Sequence, residues 1–152
     1  MVKRELKILS ITVIFFALCI LGWYKLNLIH QNDILDGKEI VIIKLESADG
    51  CKTMKTTPFT ESIVTYEKVD ELRIFKRAIN IAVIEKGDID YCAMFFMYLL
   101  LEDGTQMKFV LNVADEAGRT ALLVDIADRG QGYEIPKDQT AELRKIIYQA
   151  KS

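Results

Sequence analysis

Between Ile8 and Tyr24 the chain carries no charge, and Leu6 with Lys7 extends that apolar run toward the N-terminus. Leu6–Tyr24 is about the length of a short membrane-spanning helix, given a snorkelling lysine. Its polar positions, Ser10 and Thr12, form no stripe of the kind a core helix shows to water. Beyond it the pattern changes. Residues 25–37 turn polar after Ile29 and end in Asp36-Gly37, a turn signal. Lys38–Ser47 is rich in β-branched residues and predicts a strand. A long loop with Gly50, Pro58 and several threonines follows. From Asp70 to Gly87, helical spacing puts Leu72, Ile74, Phe75, Ala78, Ile79, Ile81, Ala82 and Val83 on one broad side. Arg73, Lys76, Arg77 and Asn80 fall on the other.

The stretch from Tyr91 to Val113 predicts a hairpin, with Asp103-Gly104 as a two-residue type I′ turn. That turn sets Leu100 opposite Met107, Tyr98 opposite Phe109 and Phe96 opposite Leu111. Side chains alternate along strands, so one face carries Met94, Phe96, Tyr98, Leu100, Met107, Phe109, Leu111 and Val113. It is the expected core face, with Phe75 and Ile79 against Phe96, Tyr98, Phe109 and Leu111. The opposite face carries Phe95, Met97, Leu99 and Leu101 beside Gln106, Lys108, Val110 and Asn112. Either another element, such as the C-terminal helix, covers this apolar row, or the row is exposed. Phe95, Met97, Leu99, Leu101, Lys108 and Val110 form the candidate interaction surface, because a lysine and an asparagine suit a partly wet face. A strand at Ala121–Ile126, a short extended piece at Tyr133–Ile135 and a last helix bearing Leu143, Ile146, Ile147 and Ala150 complete the pattern. The expected fold class is α+β: a transmembrane helix, then one small domain with a mainly antiparallel sheet and two helices.

Charge gives the apolar run a direction. Lys3, Arg4 and Lys7 precede it and only Lys25 follows closely, so the N-terminus is expected in the cytoplasm and the rest outside the cell membrane. The expected organisation is a cytoplasmic end at 1–5, an anchor at 6–24, a linker at 25–37 and an extracytoplasmic domain at 38–152. Cleavage and lipidation are the competing fates. Leu18 before Cys19 is too large for a lipidation site, and Ala17-Leu18-Cys19 fits a signal-peptidase site poorly. The whole chain has a net charge of −2; setting aside the four basic residues and one acidic residue up to Lys25 leaves −5 outside. That balance speaks against nucleic acid as a partner.

Of three cysteines, Cys19 lies in the apolar run. Cys51 and Cys92 either pair as a disulfide, which an extracytoplasmic site permits, or remain a loop thiol and a buried strand thiol. Their spacing matches no zinc motif. His30, the single histidine, falls in the linker and gives no basis for histidine acid–base catalysis. No nucleophile elbow, phosphate loop, H-E-x-x-H or C-x-x-C motif occurs. Ser47 or Ser62 with a lysine, and the pairs Asp88/Asp90 and Asp125/Asp128, are the remaining chemical candidates; the aspartates sit where turns need them for backbone reasons.

"RIFKRAINIAVIEKGDID", "YLLLEDGTQMKFVLNV" and "YEIPKDQTAELRKII" together resemble the YhfM-like domain of membrane-attached extracytoplasmic proteins of Bacillus-type bacteria. Phe75, Ala78 and Ile79, the Asp103-Gly104 hairpin, and Tyr133, Ile135 and Pro136 carry the likeness by order and spacing. The resemblance implies an envelope location and no activity, cofactor or site residue. The expectation is a tethered, non-catalytic binding domain without a cofactor, its partner an envelope protein or an apolar ligand. The alternatives are an accessory or structural subunit of an envelope complex and, third, an enzyme.

Overall fold

The computed structural model describes residues 33–48, 63–87, 89–128 and 130–148. The chain divides into two units, Met1–Gln31 and Asn32–Ser152, and the description concerns the second. The predicted anchor Leu6–Tyr24, His30, Cys19, Cys51 and Ser62 lie outside the described residues. Among the described residues no helix is long and apolar enough to cross a membrane.

The fold is α+β, with one antiparallel sheet of seven strands and two helices. In chain order the elements are β1 (Ile40–Ser47), β2 (Ile63–Tyr66), α1 (Val69–Asn80), β3 (Val83–Ile84), β4 (Phe95–Leu101), β5 (Gln106–Asn112), β6 (Ala121–Asp125), β7 (Gln131–Ile135) and α2 (Lys137–Tyr148). Across the sheet the order is β2-β1-β4-β5-β6-β7-β3. From β4 to β7 it is a plain meander. The N-terminal strands join one edge of that meander, and β3 closes the other. The connection from β2 to β3 therefore runs from edge to edge, six strand spacings or about 29 Å. The 12 residues of α1 span about 18 Å of it, so the helix lies across the sheet.

Both helices pack on one face. A single core joins Phe75, Ala78 and Ile79 of α1 and Leu143 and Ile147 of α2 to Ile43 and Leu45, Phe95, Met97 and Leu99, Phe109 and Leu111, and Leu123. Two tyrosines fasten the helices to this layer. The Tyr66 ring packs against Phe75 at 5.0 Å, and Tyr148 meets Phe95 edge-on at 6.1 Å while donating a 2.7 Å hydrogen bond to the Val113 carbonyl. Burial pushes the Tyr148 phenol up to about 12, and the nearby Asp115 carboxylate adds to the rise.

Four differences from the sequence expectations have physical causes. First, α1 starts at Val69 with Lys68 as its N-cap and ends at Asn80. The helical apolar spacing continues, but Val83 and Ile84 pair with Glu134 and Tyr133 of β7, leaving Ile81 and Val83 exposed. Second, Ile63–Tyr66, a stretch given no element between the long loop and Asp70, forms an edge strand on β1. Third, the packed domain begins before Lys38. Leu35 is buried, and the turn beneath it is closed by the Asp33 carboxylate accepting the Gly37 N–H at 2.9 Å, with Asp36 and Gly37 at positive φ. Fourth, the register of the β4–β5 hairpin differs by one residue. Phe95 faces Leu111, Met97 faces Phe109 and Tyr98 faces Lys108.

That last difference originates at the turn. Gly104 N–H donates to the Leu101 carbonyl, and Leu101 N–H donates to the Thr105 carbonyl, both at 2.9 Å. The loop is therefore Glu102-Asp103-Gly104, three residues with Gly104 in the left-handed region at φ 85°. A three-residue loop ending in a left-handed glycine is the next most favoured hairpin connection after the two-residue ones. Asp103 holds it by accepting the Thr105 N–H at 2.9 Å and pairs with Lys38 at 3.1 Å. These bonds hold the Asp103 carboxyl down to about 2 and raise the Lys38 amine. A one-residue slip turns one strand over relative to its partner. Phe109 and Leu111 face the helices as expected, whereas β4 is inverted.

Candidate functional site

The inverted strand overturns the candidate surface. Phe95, Met97, Leu99 and Leu101 lie in the core, none more than 2% exposed, beneath the two helices. Of the six residues assigned to the surface, Lys108 and Val110 do lie on the opposite, outer face, where Lys108 is exposed and Val110 is buried. The outer residues of β4 are Phe96, Tyr98 and Leu100, each half-buried.

Registers across the sheet arrange this outer face in rows. Leu100 has Ile42 on one side and Gln106 on the other. Tyr98 is flanked by Lys44 and Lys108, with Thr65 beyond Lys44. Phe96 lies between Glu46 and Val110, with Ile63 and Val124 as outer members. The side chains interlock. The Tyr98 hydroxyl donates to Glu46 Oε2 at 2.9 Å, and Lys108 Nζ sits 4.7 Å from the Phe96 ring centre and 5.1 Å from that of Tyr98. Each ring presents its negative face to the ammonium, an attraction of about 0.5–1 kcal/mol at an exposed site. Ile42, Lys44, Glu46, Ile63, Tyr98 and Lys108 are among the residues that line an open concavity of about 650 Å³.

The other end of the outer face is covered by the chain itself. Ile89 packs over Gly132 so closely that a Cβ there would come within 2.0 Å of Ile89 Cδ1. Asn112 anchors the following residues. Its Oδ1 accepts the Met94 N–H at 2.8 Å, and its Nδ2 donates to the Cys92 carbonyl at 2.7 Å. The polar residue expected on a wet face is instead the satisfied partner of a backbone strap. Cys92 within this strap is disulfide-bonded.

Of the other residues singled out in the sequence, Asp88 lies outside the described residues. Arg73 pairs with Asp70 at 3.0 Å, and Lys76 pairs with Glu39, so two of the three basic residues on α1 are locally neutralised. The Asp125 carboxylate accepts the N–H groups of Ala127 and Asp128, a turn-forming role. Ser47 ends β1 opposite Phe95. Among the described residues, no three His, Cys, Asp or Glu side chains converge as a metal site. No family model, curated protein or solved structure matches the chain.

Proposed function

We propose that the protein is a membrane-tethered extracytoplasmic binding module that works by contact and not by catalysis, and that its contact surface is the open end of the outer sheet face. One observation carries this reading: the unequal coverage of the two faces. Two helices seal the inner face and a strap covers the β6–β7 end of the outer one, while Ile42, Ile63, Tyr98 and Leu100 surround a concavity left open. Aromatic and aliphatic bodies with polar edges are the composition of an interface centre. The disulfide at Cys92 supports the location, because such bonds persist in oxidising compartments and are rare in the cytosol. The uncharged run to Tyr24 and the basic residues before it support the tether, and the resemblance to YhfM-like domains points to the same compartment.

The test is site-specific photocrosslinking in intact cells. A photoreactive residue at Leu100 should give a discrete adduct, whereas the same residue at Arg77, on the solvent side of α1, should give none. Equal labelling at the two positions, or none at Leu100, defeats the proposal.

A further inference from the structure

Resting on that reading, we infer that the occupant of the open face is an acidic, extended segment of a partner protein, with one carboxylate seated between Lys44 and Lys108 and apolar side chains on either side of it. The argument starts from charge. Outside the N-terminal stretch the protein is acidic, yet Tyr98 at the centre of the face is bracketed by two lysines. The ion pairs of the described surface use Lys38, Arg73, Lys76, Arg119 and Lys145, and neither Lys44 nor Lys108 is among them. Lys108 is instead held over two rings, and Glu46, two residues along β1 from Lys44, is engaged by the Tyr98 hydroxyl. Lys108 thus lies over an aromatic floor, and Lys44 is exposed on the other side of Tyr98.

The rows then fix the pattern of the ligand. Leu100, Tyr98 and Phe96 are successive outer residues of β4, about 7 Å apart, which is the distance between alternate residues of any extended chain. A segment lying along β4 therefore meets the apolar Ile42–Leu100 row, the basic Lys44–Tyr98–Lys108 row and the Phe96 row in turn. Its side chains facing the sheet should read apolar, acidic, apolar. The third position stays apolar because Glu46 stands beside Phe96 and repels a second carboxylate. A short segment also suits the overall charge better than a polyanion does. Screening confines the repulsion of the acidic domain to about 8 Å at physiological salt, so one carboxylate feels mainly the two lysines. A nucleic acid or an anionic bilayer would meet the acidic surroundings as well.

The experiment uses the full-length protein in a neutral detergent and three fluorescein-labelled peptides built on Leu-Ser-Glu-Ser-Leu, Leu-Ser-Gln-Ser-Leu and Leu-Ser-Lys-Ser-Leu, read by anisotropy. The glutamate peptide should bind, and the other two at least about tenfold more weakly, the factor a good charge contact supplies. In the double variant Lys44→Glu, Lys108→Glu the order should reverse, with the lysine peptide now preferred. That reversal also shows the variant to be folded. If all three peptides bind alike and Leu100→Asp abolishes binding, the contact surface stands and the acidic partner is refuted. If none binds, the surface reading fails with it. Sedimentation with phosphatidylglycerol vesicles that depends on both lysines and resists competition by the glutamate peptide would replace the partner segment with a membrane surface.

Discussion

Met97 and Tyr98 are neighbours in one strand, and they live in different media. Met97 lies under two helices with Leu45 and Phe109 among the residues of the same core, and it is 1% exposed. Tyr98 is half in water, flanked by two lysines, its hydroxyl on a carboxylate. Burial on the inner face is set by hydrophobic contact, where any polar atom needs a partner. On the outer face at this end it is set by rings and aliphatic stems that leave their polar ends wet. The same strand can therefore supply stability on one side and recognition on the other, and substitutions at adjacent positions should report on different properties.

The largest contrast is between Met97→Glu and Leu100→Glu. The first places an unpaired carboxylate in the core and should cost about 4 kcal/mol or more, enough to unfold a domain of ordinary stability. The second should leave the thermal midpoint nearly unchanged. Circular dichroism melts of both variants decide it; similar losses would mean that the two faces do not differ. Next in size, Phe75→Ala should cost about 3–5 kcal/mol through lost burial and a cavity, against about 0.5 kcal/mol at most for the exposed Arg77→Ala. Urea titrations that give equal losses would show that α1 contacts the sheet through another side.

The strap on the outer face gives the third prediction. The ladder between β1 and β4 extends past Ser47 and Phe95 to Ala48, whose N–H donates to the Met94 carbonyl. Cys51 follows Ala48 by three positions, and Cys92 precedes Met94 by two. With Cys19 in the apolar run, Cys51 is the expected disulfide partner of Cys92. A non-reducing peptide map should recover them in one linked fragment, and reduction should cost about 2–4 kcal/mol. The smallest effect belongs to Tyr148. Its phenol is pushed up to about 12 in the folded protein and ionises near about 10 when unfolded. The folded state holds the proton more tightly, so this contribution is complete below pH 10 and is lost as pH rises toward 12. Tyr148→Phe should cost about 1 kcal/mol at neutral pH for the bond to Val113 and should flatten the alkaline decline of the urea midpoint. An unchanged slope in the variant would assign that decline to other groups.

How far the sequence discloses this arrangement differs between elements. In β5 the polar residues Gln106 and Lys108 alternate with Met107 and Phe109, so its two faces can be told apart by inspection. In β4 every residue is apolar or aromatic, FFMYLLL, and no alternation exists to read. Its orientation depends wholly on whether the turn contains two residues or three. Asp-Gly serves in both types, and the pairing of Asp103 with Lys38 that accompanies the longer loop is a tertiary contact. The α+β class and the apolar side of α1 around Phe75, Ala78 and Ile79 were legible in periodicity; that the last helix joins α1 on one face, over Phe95, Met97 and Leu99, was not. The end of α1 was not, because Val83 and Ile84 continue a helical pattern until β7 claims them. The basic–aromatic face was equally hidden: Lys44, Tyr98 and Lys108 are far apart in the chain, and only the register sets them side by side.

The edge-to-edge course of α1 also determines when the domain can assemble. During synthesis β1, β2 and α1 emerge first, but Ile43 pairs with Tyr66 early and must wait for Leu99. Until β4 appears, the apolar underside of α1 has only the two-stranded β1–β2 ladder to cover. The meander from β4 to β7 has the opposite character: its pairings join neighbours in sequence, and such local contacts close fast. The C-terminal half is therefore the natural nucleus, and the half made first is the last to find its place. A domain that crosses a membrane behind a cytoplasmic N-terminal anchor, β1 before β4, would spend that interval with β1 still lacking β4, its partner on the far side from β2.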